Sequence, residues 1–370
     1  MNSKILLLKL LLLFIPGLLF SQEIKTNNWP GGQKQSEGMY KDSLREGSWT
    51  FWYPNGSKSA EGLYSKDKKS GLWKFYHDNG NLEYQGKFIN DKLNDEVTWF
   101  RKDGTKEMEG KTIDDLQDSI WLFYHENGKI GSTGPFKSGK QQGKWIYYYR
   151  TGEKWREGNF LDGKRQGLWT SYYESGIKQR EGNFLEDKEE GEWTTWYEDG
   201  KVKDLGFFKE GKMNGRWQGW YPDGKRKYDN DYKMDIKHGK YAFWYPNGQQ
   251  QSVGFYKDGL RDGQWTEWYN TGLMQETGIY REDKKEGYWT FFDTDGVKIQ
   301  EQTLVNGHPE GRWISFQSNG KPSAIGFYKN GSKEGEWQYY DKNGKVIYTV
   351  TFSKGKKIKD SSDKDPNSKK

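Results

Sequence analysis

Three stretches of this sequence carry the glycine–lysine spacing of a phosphate-binding loop: GPFKSGK at Gly134–Lys140, GNFLDGK at Gly158–Lys164 and GFFKEGK at Gly206–Lys212. That chemistry needs a Ser or Thr after the lysine to hold Mg²⁺, and a helix behind the loop. Gln141, Arg165 and Met213 follow instead. His77 and His125 share one place in a repeating pattern, two periods apart. On a sheet this separates them by roughly 19 Å, too far to ligate one metal ion. His238 and His308 read as turn residues, as do carboxylates such as Asp162, Asp258 and Asp283. Cysteine is absent, which removes thiol nucleophiles and disulfides. Asn-Gly-Ser at Asn55 and Asn330 fits a glycosylation acceptor by pattern but coincides with a turn. The residues thus predict no enzyme, no metal and no cofactor.

One pattern with binding chemistry stands out. Trp-Tyr occurs at Trp196-Tyr197, Trp220-Tyr221, Trp244-Tyr245 and Trp268-Tyr269, in four consecutive periods. Neighbours in a strand point to opposite faces, so one row of rings is free to be exposed. An exposed aromatic row suits sugar faces, choline-like cations or a protein partner. The alternative is that both rings only close the sheet.

The elements that would carry these rings repeat. Trp stands at positions 49, 73, 121, 145, 169, 193, 217, 265, 289, 313 and 337, every step a multiple of 24, with Val97 and Tyr241 in the two vacant registers. Thirteen units follow one another without insertion or deletion, the signature of a repeat architecture. Seven residues after each register position comes Gly, and three after it an aromatic, in all thirteen. Gly also precedes the register by two residues in most units, and follows it by thirteen, as in Gly47 and Gly62. Residues 22–48 fit the same columns loosely and read as a degenerate capping repeat.

The phrase WTFWY is aromatic and β-prone, and it runs into PNG, DNG or EDG, residues that tolerate the positive φ of tight hairpin turns. The chain returns as KSAEGLY and turns again at SKDKKSG. Glycine inside a strand normally weakens it. Beside rings at spacing two, as in Gly47/Trp49 and Gly62/Tyr64, it leaves a slot for a ring from the next strand. The expected fold is all-β: an elongated repeat protein, a single-layer antiparallel meander of about thirteen 24-residue hairpin units over residues 49–352. At two strand spacings per unit its length would be about 120 Å.

The two ends differ from the body. Residues 1–21 are leucine-rich, with Lys4 and Lys9 as the only charges, a break at Pro16-Gly17 and a small residue at Ser21. This reads as a signal peptide cut at Ser21–Gln22. The apolar run is too short to span a bilayer, so no transmembrane segment is expected in the mature chain, which would be exported to the periplasm, the cell surface or the medium. Residues 353–370 carry seven Lys and three Asp and read as a basic disordered tail. The two ends account for the whole net charge of +6, leaving a neutral body. A nucleic-acid binder would carry its basic excess on the folded part, and none is expected here.

The columns in Glu61–Gly80, EGLYSKDKKSGLWKFYHDNG, resemble the MORN repeat in its bacterial variant form: Glu-Gly, an aromatic, a charged turn, Gly-x-Trp, an aromatic pair, then Asn-Gly. The resemblance runs from about Lys25 to Phe352. It implies a non-enzymatic scaffold or dimerisation rod, or a membrane-associated binder, and the YwqK-type members carry the label of toxin–antitoxin antitoxins. Three readings follow: an exported scaffold that binds an unknown protein partner through one aromatic-rich face; a glycan or cell-wall polymer binder using the Trp-Tyr row; and an antitoxin-like neutraliser of a toxin.

Overall fold

Each aromatic phrase is a strand. The structure, a computed structural model, describes residues 22–361; the expected signal peptide and its cleavage site at Ser21, and the end of the expected tail at 362–370, lie outside the described residues. There, Leu44–Trp52 runs antiparallel to Lys58–Ser65, and Lys68–Tyr76 to Leu82–Ile89. The pattern continues through all described repeats as a single-layer meander with no helix. The chain divides into two compact units, residues 1–152 and 153–370. In the first, strands from Gln22–Asn28 to Gly143–Tyr148 pair in chain order. In the second, the order runs from Lys154–Leu161 to Lys356–Asp360.

Trp at the register lies flat over the glycine of the preceding strand. A Cβ placed on Gly62 would stand 2.2 Å from the Trp73 ring, and one on Gly278 2.2 Å from Trp289. The indole is pinned as well as stacked: Trp73 Nε1 donates to the Leu63 carbonyl at 2.9 Å and Trp289 Nε1 to that of Ile279 at 3.1 Å. On the same face Tyr64 meets Trp73 edge-on at 5.0 Å, Tyr280 meets Trp289 at 5.0 Å, and Phe75 stacks beside Trp73 at 5.7 Å, the offset and T-shaped geometries that aromatic quadrupoles favour. Ten of the eleven register tryptophans are buried although the sheet is one layer thick, Trp313 being half-buried, because neighbouring rings cover one another.

Three expectations need correction. The glycine two residues before the Trp is not a slot. Gly47 has φ +70° and Gly71 φ +68°, and Asp95 (φ +67°) and Ser119 (φ +59°) adopt the same left-handed backbone where glycine is missing. The requirement in this column is backbone conformation, met most cheaply by glycine. In the Pro54-Asn55-Gly56 loop only the glycine has positive φ (+86°), and its N–H donates to Tyr53 O at 2.9 Å, as in a type I turn followed by a left-handed residue. The mirror-image two-residue turn falls instead at Lys66-Asp67, φ +49° and +69°. Finally, the basic tail does not begin at 353: Ser353-Lys354-Gly355-Lys356 forms one more two-residue turn, and Lys356–Asp360 pairs with Val346–Ser353. The period simply runs on.

At the other end, Lys25 stands 24 residues before Trp49, in the register place, and pairs with Gly38, which Trp49 covers from the opposite side. The first described strand therefore exposes no uncovered glycine slot.

Candidate binding face

The strand alternation gives each unit a ring face and an opposite face. Register Trp, the rings two residues later, the slot glycine and the Tyr or Phe two residues beyond it share the ring face. The residues between them share the other, as the bond from Thr170 Oγ1 to Glu181 Oε2 at 2.8 Å illustrates.

The four Trp-Tyr pairs sit at the exits of strands Lys188–Trp196, Gly215–Trp220, Ile236–Trp244 and Gly263–Trp268. All eight residues are half-buried, and neither column forms a bare row. Tyr197, Tyr221, Tyr245 and Tyr269 each donate the phenolic O–H to a carbonyl 23 residues ahead, Trp220, Trp244, Trp268 and Phe292 respectively, at 2.7–2.9 Å. Burial pushes the phenols of Tyr197, Tyr221 and Tyr245 up. Three of the four tryptophans are flanked by a cation: Lys178 Nζ lies 5.7 Å from Trp196, and the Arg226 guanidinium stands 5.8 and 5.9 Å from Trp220 and Trp244. The register slips between the second and third residues after the register Trp. That slip swings the tyrosine out of the strand and across to the next repeat.

The Tyr column is one member of a general tie. Trp29 Nε1 donates to Trp52 O at 3.1 Å, Tyr53 and Tyr173 donate in the same way, and His77 and His125 place Nε2 3.0 Å from the carbonyls of Phe100 and Tyr148. Those two histidines hold the repeat spacing. His238 and His308 are also not in turns: each lies in a strand, and His238 Nδ1 accepts from Asp258 N–H at 3.3 Å. No group of three or more potential metal ligands occurs among the described residues. The three loop-like Gly-Lys stretches are hairpin turns followed by strand, and the N–H of Gly139 and Gly211 bond to backbone carbonyls. Asn55 is engaged through both ends of its amide.

Two features escaped sequence reasoning. A cation four residues before the register Trp caps the ring face: Arg45 lies 3.9 Å over Tyr64, Arg165 3.9 Å over Phe184, Arg261 4.0 Å over Tyr280 and Lys333 4.0 Å over Trp337. The basic column was visible, but the ring that each of the three arginines covers is 19 residues further on, whereas Lys333 lies over the register Trp of its own strand. The second feature is the apolar content of the opposite face. Leu168, Phe207, Phe255, Ile279, Tyr288 and Phe327 of the second unit, just before the register Trp or just after the slot glycine, are 43–56% exposed. Near them, Val202, Leu205 and Trp220 floor an open groove rimmed by Glu192 and Lys201.

The sequence matches the model of the MORN repeat variant family over residues 45–66, 69–90, 117–138, 141–162, 165–186, 189–210, 213–234, 237–258, 309–330 and 333–354. No curated protein matches the chain. Among solved structures, similarity is found to crystal structures described as TcdB2-TccC3-Cdc42 and TcdB2-TccC3. Identity is 11% in both, over 90% and 88% of this chain, with TM-scores of 0.17 and 0.16. The chain spans about a fifth of the length of those chains, and TM-scores this low carry no argument.

Proposed function

We propose, from the premise that the chain belongs to the MORN repeat variant family, that it is a non-enzymatic scaffold acting outside the cytoplasm, which binds a protein partner through the face opposite the ring ladder. The supporting observation is the run of uncovered apolar side chains at Phe255, Ile279 and Tyr288. A one-layer sheet needs one apolar face for its own core; large apolar groups repeated on the other face are surplus to folding and mark an interaction surface. The leucine-rich N-terminus supports export.

The test is a photo-crosslinking amino acid placed singly at Phe255, Tyr288 and Phe327 in the producing cells, with Lys284 and Lys342 as turn-edge controls. The same partner adduct from all three face positions, weaker at the controls, is the expected result. Equal labelling at face and controls would remove the proposal.

A second reading, a glycan bound in the groove at Trp220, draws on that groove's apolar floor beside a half-exposed indole. Trp220→Ala would then abolish retention on cell-wall polysaccharide; unchanged retention removes it.

A further inference from the structure

In so strict a repeat, a place where two columns change together is informative. The slot glycine and the register Trp form one packing pair. Where one member departs, the other is kept: Val97 faces Gly86, and Trp313 faces Gln302. Only at Asn230 and Tyr241, which pair across adjacent strands, have both changed among the thirteen register positions. Asn230 is buried, and its Oδ1 accepts from the Ala242 N–H at 3.3 Å. Tyr241 packs toward the next repeat, stacked on Trp265 at 5.3 Å and met edge-on by Tyr256 at 5.2 Å. Tyr232 stands in the place from which Phe208 meets Trp217 edge-on at 4.9 Å, and it makes no ring contact among the described residues.

A recess of about 380 Å³ opens over Asn230, walled by Tyr228, Tyr232, Tyr241 and Phe243 and lined also by Lys237. The repeat itself sets what fits there. Over Gly206 and Gly254, in the repeats on either side, the same space is filled by the indoles of Trp217 and Trp265. Nine register indoles donate Nε1 to the carbonyl one residue beyond the slot they cover, as Trp217 does to Phe207 at 3.0 Å. The same acceptor here is the Asp231 carbonyl, and Tyr241 has no indole to offer it. A pyranose needs convergent polar groups. The walls supply flat rings, the Tyr228 hydroxyl is spent on Asp204 Oδ1 at 2.7 Å, and the Asn230 oxygen is engaged. The Lys237 ammonium, 4.7 Å over Tyr241, repels a quaternary ammonium. The recess is also open on one side, whereas small-molecule sites bury most of their ligand. A ring held here needs a larger body to close over it.

We propose that this recess takes a tryptophan side chain of a protein partner, laid over Asn230 with its indole N–H directed to the Asp231 carbonyl. The visiting ring completes the ladder that Tyr241 leaves unfilled. Tryptophan is enriched among the side chains that anchor interfaces. The site lies on the ring face, so its test is independent of the crosslinking above.

The probe is acetyl-Gly-Trp-Gly amide carrying fluorine on its indole, titrated with the full chain and read by fluorine NMR line width. Methylating the indole nitrogen should weaken binding about threefold to tenfold, the range for one lost hydrogen bond. Asn230→Gly with Tyr241→Trp restores the standing pattern, so the chain's own indole fills the recess. That variant should keep its strand circular dichroism and bind about tenfold more weakly or worse. A diazirine on the peptide indole locates the site in the unaltered chain, and should mark Tyr232, Tyr241 or Phe243. Undiminished binding in the restored variant, equal binding of the methylated peptide, or marking confined to other strands would overturn the assignment. So would displacement of the peptide by cellobiose, choline or free tryptophan at lower concentration than by the unlabelled peptide.

Discussion

Gly278→Ala tests the central packing arrangement, because two lines of reasoning give opposite signs. On backbone entropy alone, alanine in a strand should be better than glycine by about 0.5–1 kcal/mol. In the structure the new Cβ would stand 2.2–2.6 Å from three atoms of the Trp289 ring, where ordinary contact begins near 3.4 Å. The ring would have to move by more than an ångström. It is 0% exposed, pinned by its Nε1 bond to Ile279 O, and held edge-on by Tyr280 and stacked by Phe291. Expelling it amounts to losing most of a buried tryptophan, about 3–5 kcal/mol. The expected loss is therefore about 3 kcal/mol or more, confined to the neighbouring strands because stability in a repeat array is nearly local. Hydrogen exchange of Met274–Arg281 and Lys284–Phe292 with and without urea reads it. The decisive arm is the double variant with Trp289→Ala. Once the ring is gone the methyl has room, so the pair should be no less stable than Trp289→Ala alone, a coupling of about 3 kcal/mol or more. A neutral or stabilising Gly278→Ala, or simple additivity in the double variant, would refute the slot.

Further expectations follow from the ties, the strained turns and the buried phenols. Tyr221→Phe and Tyr245→Phe each remove one bond between repeats and should cost about 0.5–1.5 kcal/mol, read as local exchange protection lost around Trp244 and Trp268. Ser119→Gly, at a φ of +59°, should stabilise the chain by about 0.5–1 kcal/mol by relieving left-handed strain, measured by urea melting. Tyr76, Tyr124 and Tyr172 have their pKa pushed up to about 12, by burial first and then by the hydroxyl bond to Glu61, Glu109 and Glu157. A raised acid pKa favours the neutral, folded form, so stability is intact below pH 10 and falls as pH rises from 10 to 12. Absorbance at 295 nm should show a tyrosine class ionising late, which Tyr76→Phe, Tyr124→Phe and Tyr172→Phe together diminish.

The strand-and-turn rhythm, the fold class and the slot at Gly62 were legible because they repeat at fixed spacing and rest on side-chain size. The role of Gly47 was not, since a missing Cβ and a positive φ call for the same letter; only Asp95 and Ser119, which keep the φ and lose the glycine, separate the two. The Trp-Tyr pairs misled for a related reason. Alternation predicts opposite faces in a regular strand, but the register slips just before the pair, and Tyr197, Tyr221, Tyr245 and Tyr269 reach into the next repeat. His77 shows the same limit: its partner, the carbonyl of Phe100, is a backbone atom that leaves no mark in the sequence.

The linear order of residues determined the period, the antiparallel meander and which ring fills which gap, because those depend on nearest neighbours in the chain and on volume. Only the tertiary structure decided which face stays uncovered at Phe255 and Tyr288, where a recess opens over Asn230, and which polar groups are already engaged. These depend on angles and hydrogen bonds between residues some twenty positions apart, and a bond to a main-chain carbonyl can be made to any residue type.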